Sequence, residues 1–333
     1  MTGPRRAQVT GPGAVRVVPA PQPAELGPSD LLCRVLAVGV CGTDVALVRD
    51  GDAGPEQVPG HEIVAEVTQA PPGCWVPAGT RVMVRPIRGC GDCWYCRSGL
   101  MHQCDRATEL TISYGRPGGY ADLLVLDDPR PAEVVAVADG VDDLDAVWAE
   151  PLAVAVHAVQ TARAHGDGQL VVIGAGPLGL CVAAAGVAVG LDVVSVEPRE
   201  ARRAAARSLG VSETVDPVGT DLRSALGATG RVVTTVGATS ALASAYAVCA
   251  PGGVVVHAGL GHGSTLPSGL GPVTTVGSFG YSAEDFLRST ALINGGEVRL
   301  GSLVTHQLPL EDLAAAVDLP VSDPSAVKVV VRP

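Results

Sequence analysis

The stretch LVVIGAGPLG, residues 170–179, predicts the fold of the part of the chain that surrounds it. Four apolar residues typical of a buried strand lead into the pattern Gly-x-Gly-x-x-Gly, which begins at Gly174. Glycines at this spacing allow a tight turn and the close approach of a pyrophosphate to the N-terminus of the next helix. The dipole and the free N–H groups at that end of a helix favour an anion. The residues predicted to bind a dinucleotide are Gly174, Gly176, Pro177, Leu178 and Gly179.

The run without charged residues is longer than the motif, because it extends from Leu170 to Leu191 and contains 22 residues. A run of this length is also typical of a membrane span. Its six glycine and proline residues, however, would break a lipid-facing helix repeatedly. A buried strand, a turn and a buried helix therefore account for the run better, and no membrane contact is predicted.

From about residue 152 the chain alternates between apolar runs and helical stretches, which is typical of a parallel sheet with helices on both faces. The further strands are predicted at 192–197, 231–237, 252–259 and 273–280, and an arginine-rich helix at 199–209. The glycine-rich run 259–272 is predicted to be a flexible loop near the cofactor. The pattern predicts an α/β fold with a doubly wound parallel sheet of the Rossmann type.

Glu197 ends the predicted strand after the glycine motif and follows Gly174 by 23 positions. An acid about 20 residues after the motif accepts hydrogen bonds from the adenosine ribose and repels a 2′-phosphate. NAD is therefore the predicted cofactor. Arg199, two positions later, could hold a 2′-phosphate and leaves NADP as the alternative.

The first 150 residues have a different texture, with short β-like runs between glycine and proline turns and no long helices between them. This pattern predicts a compact domain that is mainly β. One more helix at 310–318 and a last β run at 326–332 end the chain. We expect a discontinuous β-rich domain, residues 1–152 and 291–333, with the dinucleotide-binding domain 153–290 inserted into it.

A run of four cysteines between residues 88 and 106 is the strongest local signal for a metal. Cys90, Cys93 and Cys96 follow one another at intervals of three, and Cys104 comes eight positions later. Zinc prefers four soft ligands in a tetrahedron, and closely spaced cysteines on an irregular loop supply them. Since four sulfurs leave no open position for a substrate, the predicted zinc is structural.

The composition restricts the class of protein without indicating its chemistry. The 333 residues include 47% hydrophobic and 17% charged residues, which excludes a disordered chain. A net charge of −11 argues against a nucleic-acid partner, since such proteins carry clustered Lys and Arg. The N-terminus shows no apolar segment of the length that a signal peptide needs, and we expect a cytoplasmic protein. In that compartment cysteine clusters indicate metal binding or catalysis rather than disulfides.

A third set of residues is dispersed along the chain. It consists of Cys41 in GVCGTD, His61 and Glu62 in PGHE, and Glu150 in AEPLAVAVHA. With these motifs, the cysteine run and GAGPLG, the chain resembles, over essentially its whole length, the zinc-containing medium-chain dehydrogenase/reductase family. That family includes alcohol, sorbitol, threonine and glucose dehydrogenases.

The resemblance implies a GroES-like β domain with a second, catalytic zinc. It implies that Cys41 and His61 bind this zinc, and that Glu62 and Glu150 complete its ligand set or alternate in it. Such a zinc lowers the pKa of a bound hydroxyl, so that hydride can pass to a nicotinamide.

The resemblance also assigns roles to two residues beside the zinc. It implies that Thr43 receives the substrate proton and that Asp44 orients the ligand histidine. Several relatives continue the proton relay with a histidine where this chain has Ala46, so a shorter relay through cofactor ribose and water is predicted. Lys328, the only lysine of the chain, is expected either near the cofactor pyrophosphate or at the surface.

The main functional hypothesis is an NAD-linked zinc dehydrogenase that oxidises a secondary alcohol of a polyol, sugar or cyclitol, or reduces the corresponding ketone. The resemblance further suggests a homo-oligomer, either a dimer or a tetramer. One alternative is a threonine-like amino-alcohol dehydrogenase. Another is a non-catalytic dinucleotide-binding protein, which the presence of Cys41, His61 and Glu150 disfavours.

Overall fold

The computed structural model describes residues 3–21, 25–49, 51, 57–166, 168–259 and 271–333. Most of the run 259–272, for which a flexible loop is predicted, lies outside the described residues. The strands are β1 Arg5–Gly11, β2 Ala14–Pro19, β3 Leu31–Gly39, β4 Glu62–Gln69, β5 Arg81–Val84, β6 Leu123–Leu126, β7 Val134–Ala136, β8 Leu170–Ile173, β9 Val193–Val196, β10 Glu213–Val215, β11 Thr229–Thr234, β12 Cys249–His257, β13 Thr274–Gly277, β14 Val304–Pro309 and β15 Lys328–Arg332.

The helices are α1 Gly42–Arg49, α2 Trp94–Arg97, α3 Ala107–Leu110, α4 Asp143–Ala146, α5 Ala149–His165, α6 Pro177–Ala188, α7 Glu200–Ser208, α8 Leu222–Leu226, α9 Thr239–Val248, α10 Ala283–Asn294 and α11 Leu313–Ser322. The chain divides into two compact units. The first consists of Met1–Glu150 and Ser282–Pro333, and the second of Pro151–Tyr281.

The second unit is a six-stranded parallel sheet in the order β10-β9-β8-β11-β12-β13. In chain order this is 3-2-1-4-5-6, the doubly wound arrangement that the alternation of strands and helices predicts. All residues of β8 and β9 are buried, as expected for strands covered by helices on both faces. The strand order reverses between β8 and β11, and ligands of such sheets bind at the carboxyl ends of the strands at this point. The predicted Rossmann fold is confirmed.

The glycine motif occupies the turn from β8 to α6. Gly174 has a φ of 94°, which favours glycine, and a Cβ there would also collide with Val236. A Cβ at Gly179 would collide with the carbonyl oxygen of Gly174. The first and third glycines are therefore required by the turn itself and by the packing of the helix against it.

The uncharged run from Leu170 to Leu191 contains strand β8 and the twelve-residue helix α6, with the turn between them. Pro177 is the first residue of that helix, where a missing N–H costs no hydrogen bond. Among the described residues, no helix combines the length and the apolar character that crossing a membrane requires.

The first unit is built on a mixed sheet in the order β14-β15-β3-β4-β5-β7, with β6 also paired to β3. Strand β3 is its centre, because it pairs antiparallel with β15, β4 and β6. The last strand of the chain thus completes the sheet of the N-terminal region, with Val330 opposite Gly39.

The boundary between the second unit and the returning chain lies nine residues earlier than the predicted one. Helix α10, which the prediction divided between the domains, belongs to the first unit. Its Ser289 hydroxyl donates to the Ala149 carbonyl over 2.6 Å, and Asn294 exchanges hydrogen bonds with the backbones of Ala136 and Ala138. The alternation of strands and helices cannot reveal this, because it does not indicate which core a helix packs against.

Lys328 does not lie at the surface, so that prediction for it is wrong, whereas its place near a cofactor pyrophosphate stays a prediction. Its side chain is buried and forms an ion pair with the equally buried Glu62. Its Nζ also lies 3.3 Å from the Val40 carbonyl oxygen and 5.0 Å from the centre of the Trp148 ring. The ammonium therefore neutralises a carboxylate inside the first unit and gains from the aromatic face beside it.

Replacing Lys328 with methionine should lower the free energy of unfolding of the first unit by about 3–5 kcal/mol, because Glu62 would keep a buried charge without its partner. Guanidinium unfolding followed by tryptophan fluorescence measures this. The three tryptophans, Trp75, Trp94 and Trp148, all lie in the first unit.

The double variant Lys328→Met, Glu62→Gln is the control for lost volume. It should recover most of the stability, since neither residue is then charged. A cost below about 0.5 kcal/mol for the single variant, the size of an ordinary surface substitution, would contradict the importance of the pair.

Candidate active site and metal centres

Three predicted zinc ligands of the first unit lie together. The ligand atoms of Cys41, His61 and Glu62 are all within 4.8 Å of one another. Cys41 follows the end of β3, and His61 directly precedes β4. Gly39 is opposite Glu62 in the antiparallel pair of these strands, so the register itself brings the two segments together.

Asp44 connects these segments through its buried carboxylate. Its Oδ2 accepts the Cys41 N–H over 3.0 Å and the Tyr120 hydroxyl over 3.1 Å, while its Oδ1 accepts the Gly60 N–H over 3.2 Å. Tyr120 is fully buried, and its role cannot be deduced from the sequence, where it reads only as a residue at the start of a strand.

His61 turns one side of its ring toward Asp44, with Nδ1 3.6 Å from Oδ1. The contact is electrostatic, since it is too long for a normal hydrogen bond. Burial by itself would lower the pKa of His61, but the charges of Asp44 and Cys41 outweigh it and raise the pKa well above its usual value. Burial likewise would raise the pKa of Asp44, and the His61 charge and the accepted hydrogen bonds lower it. The other ring nitrogen of His61, Nε2, is the one left for a metal.

The donor set fits zinc. A thiol, an imidazole and a carboxylate are its usual protein ligands. When a metal is bound, Cys41 is a thiolate and His61 is neutral, so Lys328 alone balances the negative charges of Cys41, Asp44 and Glu62. The two remaining negative charges match a divalent cation.

Glu150 has a different position from the other predicted ligands. It is buried in the first turn of α5 and does not belong to the group of ligand atoms within 4.8 Å. The structure therefore brings Cys41 and His61 together with Glu62. The carboxylate of Glu62 also forms the ion pair with Lys328.

Thr43 and Tyr114 lie beside the candidate zinc ligands. The Thr43 hydroxyl donates to Cys41 Sγ over 3.0 Å. The ring centre of Tyr114 is 6.3 Å from that of His61. Sequence reasoning missed Tyr114, because it follows no motif and lies more than 50 positions from His61.

The cysteine lobe forms a second group of donors, in which the Sγ atoms of Cys90, Cys93, Cys96 and Cys104 are within 4.8 Å of one another. All four are free thiols. The backbone N–H groups of Cys90, Cys93 and Cys96 each point at the sulfur of another member of the group over 3.3–3.4 Å. The Cys96 N–H lowers the pKa of Cys93 to about 7, whereas a hydrogen bond with Asp92 raises the pKa of Cys90 to about 12. Backbone donors aimed at sulfur favour the thiolates that a tetrahedral zinc site needs.

In the second unit, Glu197 closes the turn that carries the glycine motif. It is buried, its Oε2 accepts the Ala175 N–H over 2.8 Å, and its Oε1 accepts the Arg199 N–H over 3.0 Å. Gly176 caps helix α6 without a side chain, and a Cβ there would meet only the guanidinium of Arg202 at 3.7 Å. Unlike the other two glycines, Gly176 is not demanded by protein contacts, which agrees with space kept for a ligand at the helix N-terminus. Leu178 lies in the first turn of the same helix.

Each of the two units matches a known protein family over much of its length. The family described as alcohol dehydrogenase GroES-like domain matches residues 27–139, and the family described as zinc-binding dehydrogenase matches residues 177–294. A 2-dehydro-3-deoxy-L-galactonate 5-dehydrogenase of Pseudoalteromonas atlantica is 31% identical over 89% of this chain and 89% of its own. An L-galactonate-5-dehydrogenase of Escherichia coli is 29% identical over 90% of this chain and 88% of its own.

The fold also matches that of a solved dehydrogenase structure. The crystal structure of L-idonate 5-dehydrogenase from Escherichia coli superposes with a TM-score of 0.89 at 22% identity, covering 99% of this chain and 98% of the other. With the two family matches and the relatives along nearly the whole chain, the protein belongs to the zinc-containing medium-chain dehydrogenase/reductase family and is an oxidoreductase that acts on CH–OH groups.

Proposed function

We propose that this protein oxidises a secondary alcohol of a polyol or sugar acid with NAD, using a zinc held by Cys41 and His61, or catalyses the reverse ketone reduction. The observation that carries the proposal is the group formed by Cys41, His61 and Glu62, with the Thr43 hydroxyl beside it. Relatives named as galactonate dehydrogenases support the substrate class. A carboxylate in the ligand set also makes the site harder and suits substrates rich in oxygen.

Each residue around the zinc would have a defined task. Zinc held by these residues would lower the pKa of a hydroxyl bound to it, and hydride transfer to the nicotinamide would then be feasible near neutral pH. Thr43 would accept a hydrogen bond from the substrate hydroxyl, take up its proton and pass its own hydroxyl proton on to cofactor ribose and water. Asp44 would keep His61 oriented and the Cys41 and Gly60 segments in place. Glu62 and Glu150 are the oxygen ligands that would complete the set.

The cofactor would lie against the turn between β8 and α6, with its pyrophosphate at the N-terminus of α6 and its ribose at Glu197. NAD is favoured because the buried carboxylate of Glu197 opposes a 2′-phosphate. Arg199 and Arg202, both close to this turn, supply the positive charge by which NADP would bind instead.

A structural zinc would be held by the four-cysteine lobe. All nine cysteines are free thiols, which supports a reducing, cytoplasmic location. Assembly as a dimer or tetramer would follow the family.

Metal analysis of the purified protein should give two zinc ions per chain. Replacing Cys41 with alanine should remove one of them and lower turnover at least about a thousandfold, because the ligand set loses its only thiolate. Nicotinamide binding should be unchanged. The matched control is Cys74→Ala, at a half-buried cysteine to which no role is assigned, and it should keep both ions. A wild-type zinc content near one would contradict the catalytic site.

Replacing Cys93 with serine should remove the other zinc ion and leave the catalytic site intact. The lobe would lose its zinc and the first unit would unfold at a lower temperature, since a closed four-sulfur site contributes directly to folding. Zinc content should fall to one, and activity at low temperature should remain. Complete loss of both ions in folded protein would show that the two sites are not separate.

Replacing Glu197 with alanine should weaken NAD about tenfold, because the ribose and the Ala175 N–H both lose an acceptor. The affinity for NADP should fall less, so that discrimination between the cofactors relaxes. Fluorescence titration with both reduced cofactors measures this. Glu200→Ala, three positions later on the exposed start of α7, is the matched control. Unchanged affinity for NADH in the Glu197 variant would remove its ribose role.

A further inference from the structure

The cysteine lobe, residues 88–106, has little regular structure of its own to keep its four sulfurs in place. Helix α2 has four residues, and the 3-10 turn that precedes Cys104 has three. A metal site built on such loops is only as precise as the residues that support the loops from outside. The geometry of the lobe therefore depends on how it is attached to the sheet of the first unit.

Glu133 is a buried acid outside the lobe, and it lies at the end of the sheet where the lobe begins. It directly precedes β7, and Arg85 directly follows β5. These two strands are antiparallel, with Val84 opposite Val134. The Arg85 N–H donates to the Glu133 carbonyl over 2.8 Å, and both side chains are buried. The carboxylate of Glu133 is thus fixed to the sheet and not to the lobe.

The carboxylate of Glu133 accepts hydrogen bonds from three arginines. Its Oε1 lies 3.4 Å from Nη2 of Arg85. Its Oε2 accepts two bonds from the Arg88 guanidinium, from Nη2 over 2.6 Å and from Nε over 3.1 Å. The backbone N–H of Arg130 also donates to Oε2, over 3.2 Å. Hydrogen bonds in which both groups are ionised are about twice as strong as neutral ones, so this one acid holds the arginines firmly.

Each of the three arginines meets the lobe at a different point. Arg88 is two positions before the first ligand cysteine. The guanidinium of Arg85 contacts the sulfur of Met101, in the turn before the last one. Arg130 lies over Gly91, where a Cβ would be 3.1 Å from its Nη2. The lobe is therefore held both at its beginning and close to its end.

A displacement of the segment at Arg88 would reach the sulfurs directly. Gly89 packs so closely on them that a Cβ there would be 2.5 Å from Cys96 Sγ. The next residue, Cys90, directs its N–H at Cys104 Sγ over 3.4 Å. Groups in such close contact cannot move independently of one another. The position of Arg88 thus affects the positions of the thiols.

We propose that Glu133 is the positioning residue of the structural zinc. Through Arg85, Arg88 and Arg130 it holds the cysteine lobe in the geometry that binds the metal, and it thereby sets how long the zinc stays bound. This inference rests on the proposed function, which assigns a structural zinc to the lobe. Ligands that are already in place bind more tightly, because less conformational freedom is lost on binding.

Geometry and charge lead to opposite expectations for Glu133. A zinc ion with four thiolates carries a net negative charge. Removing the negative charge of Glu133 would leave the arginines free to stabilise that complex, so charge alone would slow the release of zinc. Loss of the support would instead loosen the lobe and speed the release. The direction of the change therefore distinguishes a positioning role from a purely electrostatic one.

The test follows the transfer of zinc to a chromogenic chelator in Glu133→Gln, which keeps the shape of the side chain and removes its charge. The Cys41→Ala background leaves only the zinc of the lobe to be observed. Release should be about tenfold faster than in the Cys41→Ala protein with Glu133 intact, at the lower end of the effects of residues that support metal ligands. With Cys41 present, Glu133→Gln should leave the release of the catalytic zinc unchanged.

Asp122→Asn is the matched control. Asp122 also binds an arginine through two bonds, from Nη2 of Arg5 over 2.8 Å and from Nε over 3.0 Å, but this partner lies in β1, outside the lobe. Both variants should lower the thermal unfolding midpoint, since each breaks a charged pair of the first unit. Only Glu133→Gln should speed the release of zinc from the lobe.

A second variant, Arg88→Met, tests the route by which Glu133 acts. It should speed the release as well, and adding Glu133→Gln should have less than an additive effect, because both changes break the same bonds. This variant also provides the measurement if Glu133→Gln does not fold. Fully additive effects would overturn the route through Arg88.

Unchanged or slower release in Glu133→Gln would overturn the proposal, and so would equally fast release in Asp122→Asn. If the Cys41→Ala protein contains no zinc, the structural zinc of the proposed function is wrong and the positioning role is wrong with it. If that protein contains zinc and Glu133→Gln releases it at the same rate, the structural zinc stands and only the positioning role is wrong.

Discussion

The carboxylate of Asp44 is the constraint on which the candidate active site depends. It is fully buried, and it accepts hydrogen bonds from the segment after β3, from the residue before His61 and from Tyr120. A buried carboxylate can remain charged only when donors and a positive partner replace water. The same bonds that keep Asp44 ionised therefore hold Cys41 and His61 at the distance a metal needs. The site is preorganised by the requirement to satisfy one charge.

Charge also explains why this region can contain so many polar groups at its centre. Asp44 and Glu62 are both buried carboxylates, and Cys41 contributes a third negative charge when it binds metal as a thiolate. Lys328 supplies one positive charge from the last strand of the chain. Without a metal, the raised pKa of His61 allows it to carry a second positive charge beside Lys328. With a metal bound, His61 is neutral and Cys41 is a thiolate, so a divalent cation then supplies the charge that balances the group. Binding of a divalent metal and folding of the first unit should thus stabilise each other.

The sequence predicts features that depend on neighbours along the chain and misses those that depend on pairing in space. The glycine turn after β8 and the cysteine lobe are local, so spacing alone identifies them. Cys41 and His61 come together through the register of β3 and β4, which a strand pattern suggests but does not specify. Lys328 meets Glu62 across 266 positions, and nothing in the sequence near either residue indicates the other.

Tyr114 and the boundary at residue 282 escaped the sequence for related reasons. Tyr114 is oriented by the positive φ of Ser113, and a serine gives no sign of that conformation. Helix α10 has the same apolar periodicity whichever core it faces, and its place is decided by the bonds of Ser289 and Asn294. The place of α10 is decided by bonds between residues that are distant in the chain, and that of Tyr114 by a local backbone conformation that the sequence does not reveal.

In both units a buried carboxylate fixes the loop that follows a strand. The backbone of each loop must stay in place while its N–H groups or side chains face a candidate ligand. In the first unit Asp44 accepts the N–H of Cys41 after β3, and in the second Glu197 accepts the N–H of Ala175 after β8. Both carboxylates are buried, so each bond is formed in a region where leaving the donor unpaired would be expensive. A buried acid that closes the loop after a strand is thus a structural requirement of both candidate ligand sites. The proposed role of Glu197 in cofactor choice would consequently be added to a bond that the turn already needs.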